Sequence, residues 1–221
     1  FETLLYQNFR DSGSQTSQST TSPTGLAIGT GVRIVSSEKL YNQGNIINTD
    51  NSLDLTVDGP GFFQVLTPGG QIAYTRAGNF TKNAQGQVVT ANGYPLEPAI
   101  TIPANATSIS ISKDGIVSVS TPGSTKLDQV GQVELATFPN TAGLKPIGES
   151  FALATPSSGD PTVGAPGSNG AGKLIQGALE SSNVNVVEEL VSMIETQRAY
   201  EVNSKAISAV DGMMKFLTQN I

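Results

Sequence analysis

Six side chains, Val186, Met193, Tyr200, Ile207, Met214 and Ile221, recur at intervals of seven along the end of the chain. A strict heptad line over about 35 residues predicts one long helix, roughly 52 Å from end to end. Asn185 followed by Glu188 predicts its start as a capping-box arrangement. Glu188 and Glu189 in the first turn complement the positive end of the helix dipole. Leu190, Ile194, Val210 and Leu217 flank the line, whereas the positions four after its members are often polar: Gln197, Ser204, Asp211 and Thr218. Glu201 and Lys205 form a correctly oriented i, i+4 pair, and Gly212 costs up to about 1 kcal/mol in a helix interior. A helix this long exceeds what a domain of this size can cover, so its stripe calls for another helix. Val186, Leu190, Met193, Ile194, Tyr200, Ile207, Val210, Met214 and Leu217 are therefore the predicted subunit-assembly residues. The competing reading is a terminal helix folded back on its own sheet; length and heptad regularity favour the intermolecular one.

Upstream the pattern changes. From Val32 to about Phe151 short β-like runs alternate with turn chemistry: Leu53, Leu55 and Val57 precede Asp58-Gly59-Pro60-Gly61, and Phe62, Phe63 and Val65 follow it. Pro68-Gly69-Gly70, Asn83 to Gly86, Asn92-Gly93, Lys113-Asp114-Gly115 and Pro122-Gly123 mark further turns, each with residues that tolerate positive φ. Ser108 to Ser120 is the clearest hairpin, with Ile109 and Ile111 leading into Lys113-Asp114-Gly115 and Ile116, Val117 and Val119 leading out. Several such runs predict an antiparallel β domain, with no helix of ten residues between Val32 and Ile175. Ser157 to Gly172 reads as a long Gly/Pro/Ser-rich surface loop, and Lys173 to Glu180 as one more strand returning toward the start of the β region.

At the other end, Phe1, Leu4, Leu5 and Phe9 are spaced like the tail of an amphipathic helix. Asp11 to Gly31 is then Ser, Thr, Gln and Gly-rich, with no further charge until Arg33. Such a tract cannot bury enough apolar surface to offset its ordering entropy, so the residues alone read as a flexible linker or a strand ordered only by a partner. The predicted organisation is thus residues 1–31, the end of a helical segment plus a polar extension; 32–180, the β domain; and 181–221, the assembly helix. The fold class is mainly β, an antiparallel domain inserted between terminal helical, coiled-coil segments.

Composition narrows the chemistry. The 221 residues include no His, no Cys and no Trp, which excludes Ser-His-Asp and Cys-His nucleophiles, typical zinc sites, iron–sulfur clusters and disulfides. With 12 Lys+Arg against 18 Asp+Glu, the formal charge of −6 speaks against a nucleic-acid partner. No apolar run approaches the ~18 residues that would span a bilayer. The hydrophobic fraction of 37%, with Gly 24 and Pro 12, describes a turn-rich chain.

Candidate sites are correspondingly weak. Gly167 to Lys173 satisfies G-x-x-x-x-G-K, but Leu174 stands where a P-loop needs Ser or Thr, and no convincing helix follows. Paired carboxylates among Glu38, Asp50, Asp54, Asp58, Glu97, Asp114, Asp128 and Glu134 could in principle hydrolyse a glycoside, yet most sit in or beside turns, where acids usually cap backbone amides. Lys113-Asp114-Gly115 and Gly159-Asp160 lack the dense oxygen-ligand spacing of calcium loops. Tyr74 and Arg76 in AYTRAGNF fit cross-strand packing better than ligand binding. No catalytic residue, metal or cofactor is expected.

Three segments together, NSLDLTVDGPGFFQV (Asn51 to Val65), YTRAGNFTKNAQGQVVTANGYPL (Tyr74 to Leu96) and SSNVNVVEELVSMIETQRAYEVNSKAISAVDGMM (Ser181 to Met214), resemble the blocks of the bacterial flagellar axial proteins, the rod and hook group. Within it, the polar tract leading to Gly29-Thr30-Gly31-Val32 and the compact size resemble the distal-rod branch. There the tract is an insertion before the β domain associated with a straight, rigid rod. The resemblance implies that the tract is ordered between neighbouring subunits and that an amino-terminal helix, with an Asn-rich motif, pairs with the carboxy-terminal one. This chain is expected to begin just after that helix. It also implies a helical homopolymer around a central channel, transmitting torque in the basal body from motor to hook. The implied partners are copies of itself, the proximal rod and hook proteins, and the surrounding P- and L-ring proteins. The rod would cross the periplasm to the outer membrane, with export by the flagellar type III apparatus without a cleaved signal. A proximal rod or hook-type role is the near alternative. A carbohydrate-binding or carbohydrate-acting β module, or an adhesin or phage-tail-like β protein, is the distant one.

Overall fold

The computed structural model describes residues 38–123 and 126–219, and nearer the start the strand segments 6–10, 15–17, 20–21 and 26–29. The chain divides into two compact units, residues 1–40 and 41–221.

In the first unit Tyr6–Arg10 pairs antiparallel with Leu26–Gly29, Tyr6 opposite Gly29 and Arg10 opposite Leu26, with an irregularity between Asn8 and Arg10. Gln15–Ser17 pairs with Thr20–Thr21 inside that ladder. This corrects the helical reading of the stretch ending at Arg10: a four-residue apolar spacing is too short to nucleate a helix by itself, and Tyr6 and Phe9 suit a pleated strand. Phe1 to Leu5, the rest of that expectation, lie outside the described residues. The polar tract supplies its own strand partners rather than reading as uninterrupted linker.

The second unit is the expected antiparallel β domain with one carboxy-terminal helix. Its largest sheet runs Lys145–Gly148, Phe151–Leu153, Ile72–Thr75, Phe62–Leu66, Leu135–Thr137, Thr162–Gly164, with Leu96–Glu97 also pairing with Phe62–Leu66. Every pairing is antiparallel. Thr162–Gly164 lies inside the stretch read as a loop from Ser157 to Gly172; it is an edge strand on Leu135–Thr137. The predicted hairpin is present, with Ile109 opposite Val119 and Ile111 opposite Val117, and is extended by Asp128–Gln132 into a three-stranded sheet.

Phe62–Leu66 is covered on both faces, because successive side chains point to opposite sides. Phe63 and Val65 enter the main core with Leu55, Phe80, Leu96 and Leu135, where Phe63 meets Phe80 edge to face at 5.1 Å. Phe62 enters a second cluster with Tyr74, Ala136 and Leu144, closed by edge contacts to Tyr41 at 5.4 Å and Phe138 at 5.9 Å. Each fully buried Leu, Val or Phe contributes roughly 1.5–3 kcal/mol relative to exposure.

The predicted return of the chain is also observed, broken once. Lys173–Gln176 pairs with Leu55–Asp58, and Ala178–Glu180 pairs with Ile46–Asn48. Gly177 between them has φ of 73°, the positive value that lets the chain change direction between the two ladders. The helix, Val186–Gln219, follows.

Candidate assembly surface

The helix is anchored at its root. Asn185 caps it, its Oδ1 accepting from the Val187 amide at 3.2 Å and its carbonyl accepting from the Glu189 amide at 3.0 Å. Just before it, the Ser181 amide donates to the Asn45 carbonyl at 2.8 Å, and Asn183 Nδ2 donates to the Asn42 carbonyl at 3.0 Å. One residue earlier, Glu180 accepts from the Gly44 amide through Oε1 at 2.9 Å and pairs through Oε2 with Arg76 at 2.8 Å. A polar cleft of about 430 Å³ lies at this junction, lined by Gln43, Gly44, Asn45 and Ser182 to Val186.

Beyond the root nothing in the described residues covers the helix. Every position from Val186 to Met213 is exposed, apolar side chains included. Of the predicted assembly residues, Val186, Leu190, Met193, Ile194, Tyr200, Ile207 and Val210 all face solvent, from 48% exposed at Ile194 to 76% at Tyr200. The side chains of Met214 and Leu217, and the whole of Ile221, lie outside those described. Val187, Val191, Val202 and Met213 are equally exposed and fall off the heptad line, so periodicity alone missed them. Exposure of this many large apolar side chains along one element exceeds ordinary scatter. No helix among the described residues is long and apolar enough to cross a membrane.

The weak chemical candidates resolve into structural roles. Gly167 to Lys173 is a turn in which the Gly167 amide donates to the Gly172 carbonyl at 2.9 Å and the Gly172 amide to the Pro60 carbonyl at 2.6 Å. Lys173 then enters a strand, with Leu174 buried behind it, so the helix whose amino terminus would bind phosphate is replaced by a sheet. Among the carboxylates, Asp54 accepts from Thr49 Oγ1 at 2.6 Å and Asn51 Nδ2 at 2.9 Å, and Glu149 accepts from Asn92 Nδ2 at 2.6 Å. Among the described residues no three acidic side chains gather closely enough to hold a metal. Tyr74 packs edge-on against Phe138 at 4.7 Å, and burial pushes its phenol above the ordinary tyrosine value. Arg76 spends its guanidinium on backbone carbonyls and Glu180. No local motif could have announced the Arg76–Glu180–Gly44 cluster, because its members are brought together only by the sheet pairings.

Comparison with known proteins identifies the family. A family described as the flagellar hook protein FlgE/F/G D1 domain matches residues 56–119, and one described as the flagellar basal body rod FlgEFG protein C-terminal matches residues 175–220. The flagellar basal-body rod protein FlgG of Buchnera aphidicola subsp. Schizaphis graminum is 52% identical over 99% of this chain and 84% of its own length. The protein of the same name from Caulobacter vibrioides is 47% identical over 99% of this chain and 84% of its own length. That of Bacillus subtilis is 36% identical over 86% and 73%. The chain therefore belongs to the FlgG family of flagellar basal-body rod proteins, which are structural components and not enzymes.

Proposed function

We propose that this basal-body rod protein builds the distal part of the rod, polymerising helically into a rigid hollow shaft that carries torque from motor to hook. The observation that carries this reading is the helix Val186–Gln219, whose apolar side chains are exposed along its described length while the β domain keeps a closed core of its own. A surface of that kind is covered in an assembly, and contacts that do not close on themselves generate a filament. The exported subunit would meet copies of itself, the proximal rod and hook proteins at its two ends, and the P- and L-ring proteins around it as the rod crosses the periplasm to the outer membrane. The polar residues 11–31 would add lateral contacts between copies, in keeping with the resemblance of that tract to the distal-rod insertion.

Rigidity has a physical basis in the helix root, where the capped first turn and the Glu180 interactions fix the start of the helix to the β domain. An Ile207→Asp substitution tests the account, since Ile207 is 71% exposed and contributes nothing to the domain core. In cells lacking the native protein, the variant should fail to restore rods and swimming, while purified variant and parent melt at the same temperature. Normal rods with the aspartate in place would sink the helix-packing account. Immunogold labelling of isolated basal bodies then tests position: label on the hook-proximal half supports the distal assignment, and label confined to the membrane-proximal end overturns it.

A further inference from the structure

Asn-Gly occurs twice in the chain, at Asn92-Gly93 and Asn169-Gly170, and both pairs are exposed in turns. The dipeptide is chemically fragile, because glycine has no Cβ to shield its backbone nitrogen from the preceding side-chain amide. The fold holds the two pairs very differently.

At Asn92 both reacting groups are tied down. Asn92 Nδ2, the leaving group, donates to Glu149 Oε2 at 2.6 Å. The Gly93 amide, the nucleophile, donates to the Thr90 carbonyl at 2.9 Å, and the Thr90 amide closes the turn on the Tyr94 carbonyl at 2.8 Å. At Asn169 neither group is held: among the described residues, the Asn169 side chain and the Gly170 amide make no hydrogen bond. A single bond spans this tip, from the Ala171 amide to the Ser168 carbonyl at 2.8 Å. It can open locally while the Gly167–Gly172 and Gly172–Pro60 bonds beneath it stay in place.

We propose that Asn169 is a site of spontaneous deamidation in the folded protein, and that the fold protects the identical dipeptide at Asn92. The Gly170 nitrogen loses its proton to hydroxide and bonds to Asn169 Cγ. The Cγ–Nδ2 bond breaks, and Nδ2 leaves as ammonia with a proton from water, so that a cyclic imide closes. Water then adds to one of the two imide carbonyls. Cleavage between the ring nitrogen and Cγ gives aspartate, whereas cleavage between the nitrogen and the backbone carbonyl carbon gives isoaspartate, through whose Cγ the chain continues. One water is consumed and one ammonia released, with nothing oxidised or reduced. Either product carries a new negative charge in the loop, and the isoaspartyl form lengthens the backbone of a tight turn.

Peptide mass spectrometry provides the test. The full chain is incubated at mildly alkaline pH, both folded and in concentrated guanidinium, and conversion of amide to acid is followed at each position. The Asp-Gly pairs beginning at Asp58, Asp114 and Asp211 isomerise without a change in mass and do not interfere. In the folded protein Asn169 should convert several-fold faster than Asn92, whereas in guanidinium the two should convert at similar rates. Glu149→Ala, which removes the acceptor of Asn92 Nδ2, should speed conversion at Asn92 several-fold and leave Asn169 unchanged. Equal rates in the folded protein, a faster Asn92, or an inert Asn169 where the unfolded chain converts would each overturn the assignment. So would a difference that persists in guanidinium, since it would come from flanking residues and not from the fold. An unchanged Asn92 rate in Glu149→Ala would overturn the protection assigned to that bond.

Discussion

Arg76 and Glu180 stand 104 positions apart in the chain and meet in a partly buried ion pair, Nη2 to Oε2 at 2.8 Å and Nε to Oε2 at 2.9 Å. The remaining guanidinium donors reach the carbonyls of Gly59 at 2.8 Å, Gly61 at 2.9 Å and Val57 at 3.2 Å. Four hydrogen bonds thus leave the fork, and Nη2 also stands in ion-pair contact with Glu180. The other oxygen of Glu180 receives the Gly44 amide. One pair of side chains thus ties together the Asp58-Gly59-Pro60-Gly61 turn, the strand leading into the helix and the segment that enters the β domain.

Replacing Arg76 with Gln should cost about 3 kcal/mol, near the lower end for breaking a buried pair, because the two side chains retain 17% and 10% of their exposure. Arg76→Lys should recover little of it, since an ammonium offers three donors where four hydrogen bonds are made, and without the planar fork. Urea denaturation midpoints give the values, and a double variant with Glu180→Gln should be less destabilised than the two single effects added together. Simple additivity would mean that the two groups are not coupled.

Thr56 is fully buried opposite Ile175, and its hydroxyl has no hydrogen-bond partner among the described residues. A buried unpaired hydroxyl costs on the order of 1–3 kcal/mol, so Thr56→Val, which keeps the shape, should leave stability unchanged or raise it by about 1 kcal/mol. Thermal melting decides, and a clear loss of stability would show that the hydroxyl is paired in solution.

Gly115 and Gly70 form a matched comparison. Both have positive φ, 84° and 75°, but a Cβ at Gly115 would run into the Val133 carbonyl oxygen, whereas one at Gly70 meets nothing within 4 Å. Gly70→Ala should therefore cost only the left-handed conformation, about 1 kcal/mol, and Gly115→Ala considerably more because backbone must also move. Equal losses in chemical denaturation would remove the steric part of this account.

Burial raises the phenol pKa of both Tyr41 and Tyr74 above the ordinary value of 10.0. Below that value both folded and unfolded chains hold these protons, and the phenols take nothing from stability. Above it the unfolded chain ionises first, so stability should fall as pH rises from about 10 through the folded-state values. Tyrosinate absorbance and melting temperature followed together should show the decline, and Tyr74→Phe should blunt it. A melting temperature that stays flat across this range would contradict the burial of both phenols.

The local features of this chain were legible because they depend on neighbours in sequence. The Asn185 cap, the heptad line with its 34-residue helix, and the Ile109–Val119 hairpin around Gly115 follow from side-chain period and turn chemistry alone. The rejected phosphate loop was legible for the same reason, since Leu174 lacks the hydroxyl and belongs to a strand.

Tertiary structure decided what depends on distant partners. Tyr6–Arg10 carries a spacing compatible with either a helix or a strand, and the ladder with Leu26–Gly29 resolves it. Thr162–Gly164 has the composition of a loop and is a strand because Leu135–Thr137 offers an unpaired edge. The Arg76–Glu180 pair exists only because sheet pairing carries Glu180 back across the domain. Periodicity could identify the apolar residues of the helix; only the structure established that the β domain covers none of the described ones, because whether a side chain is buried is a property of what folds against it.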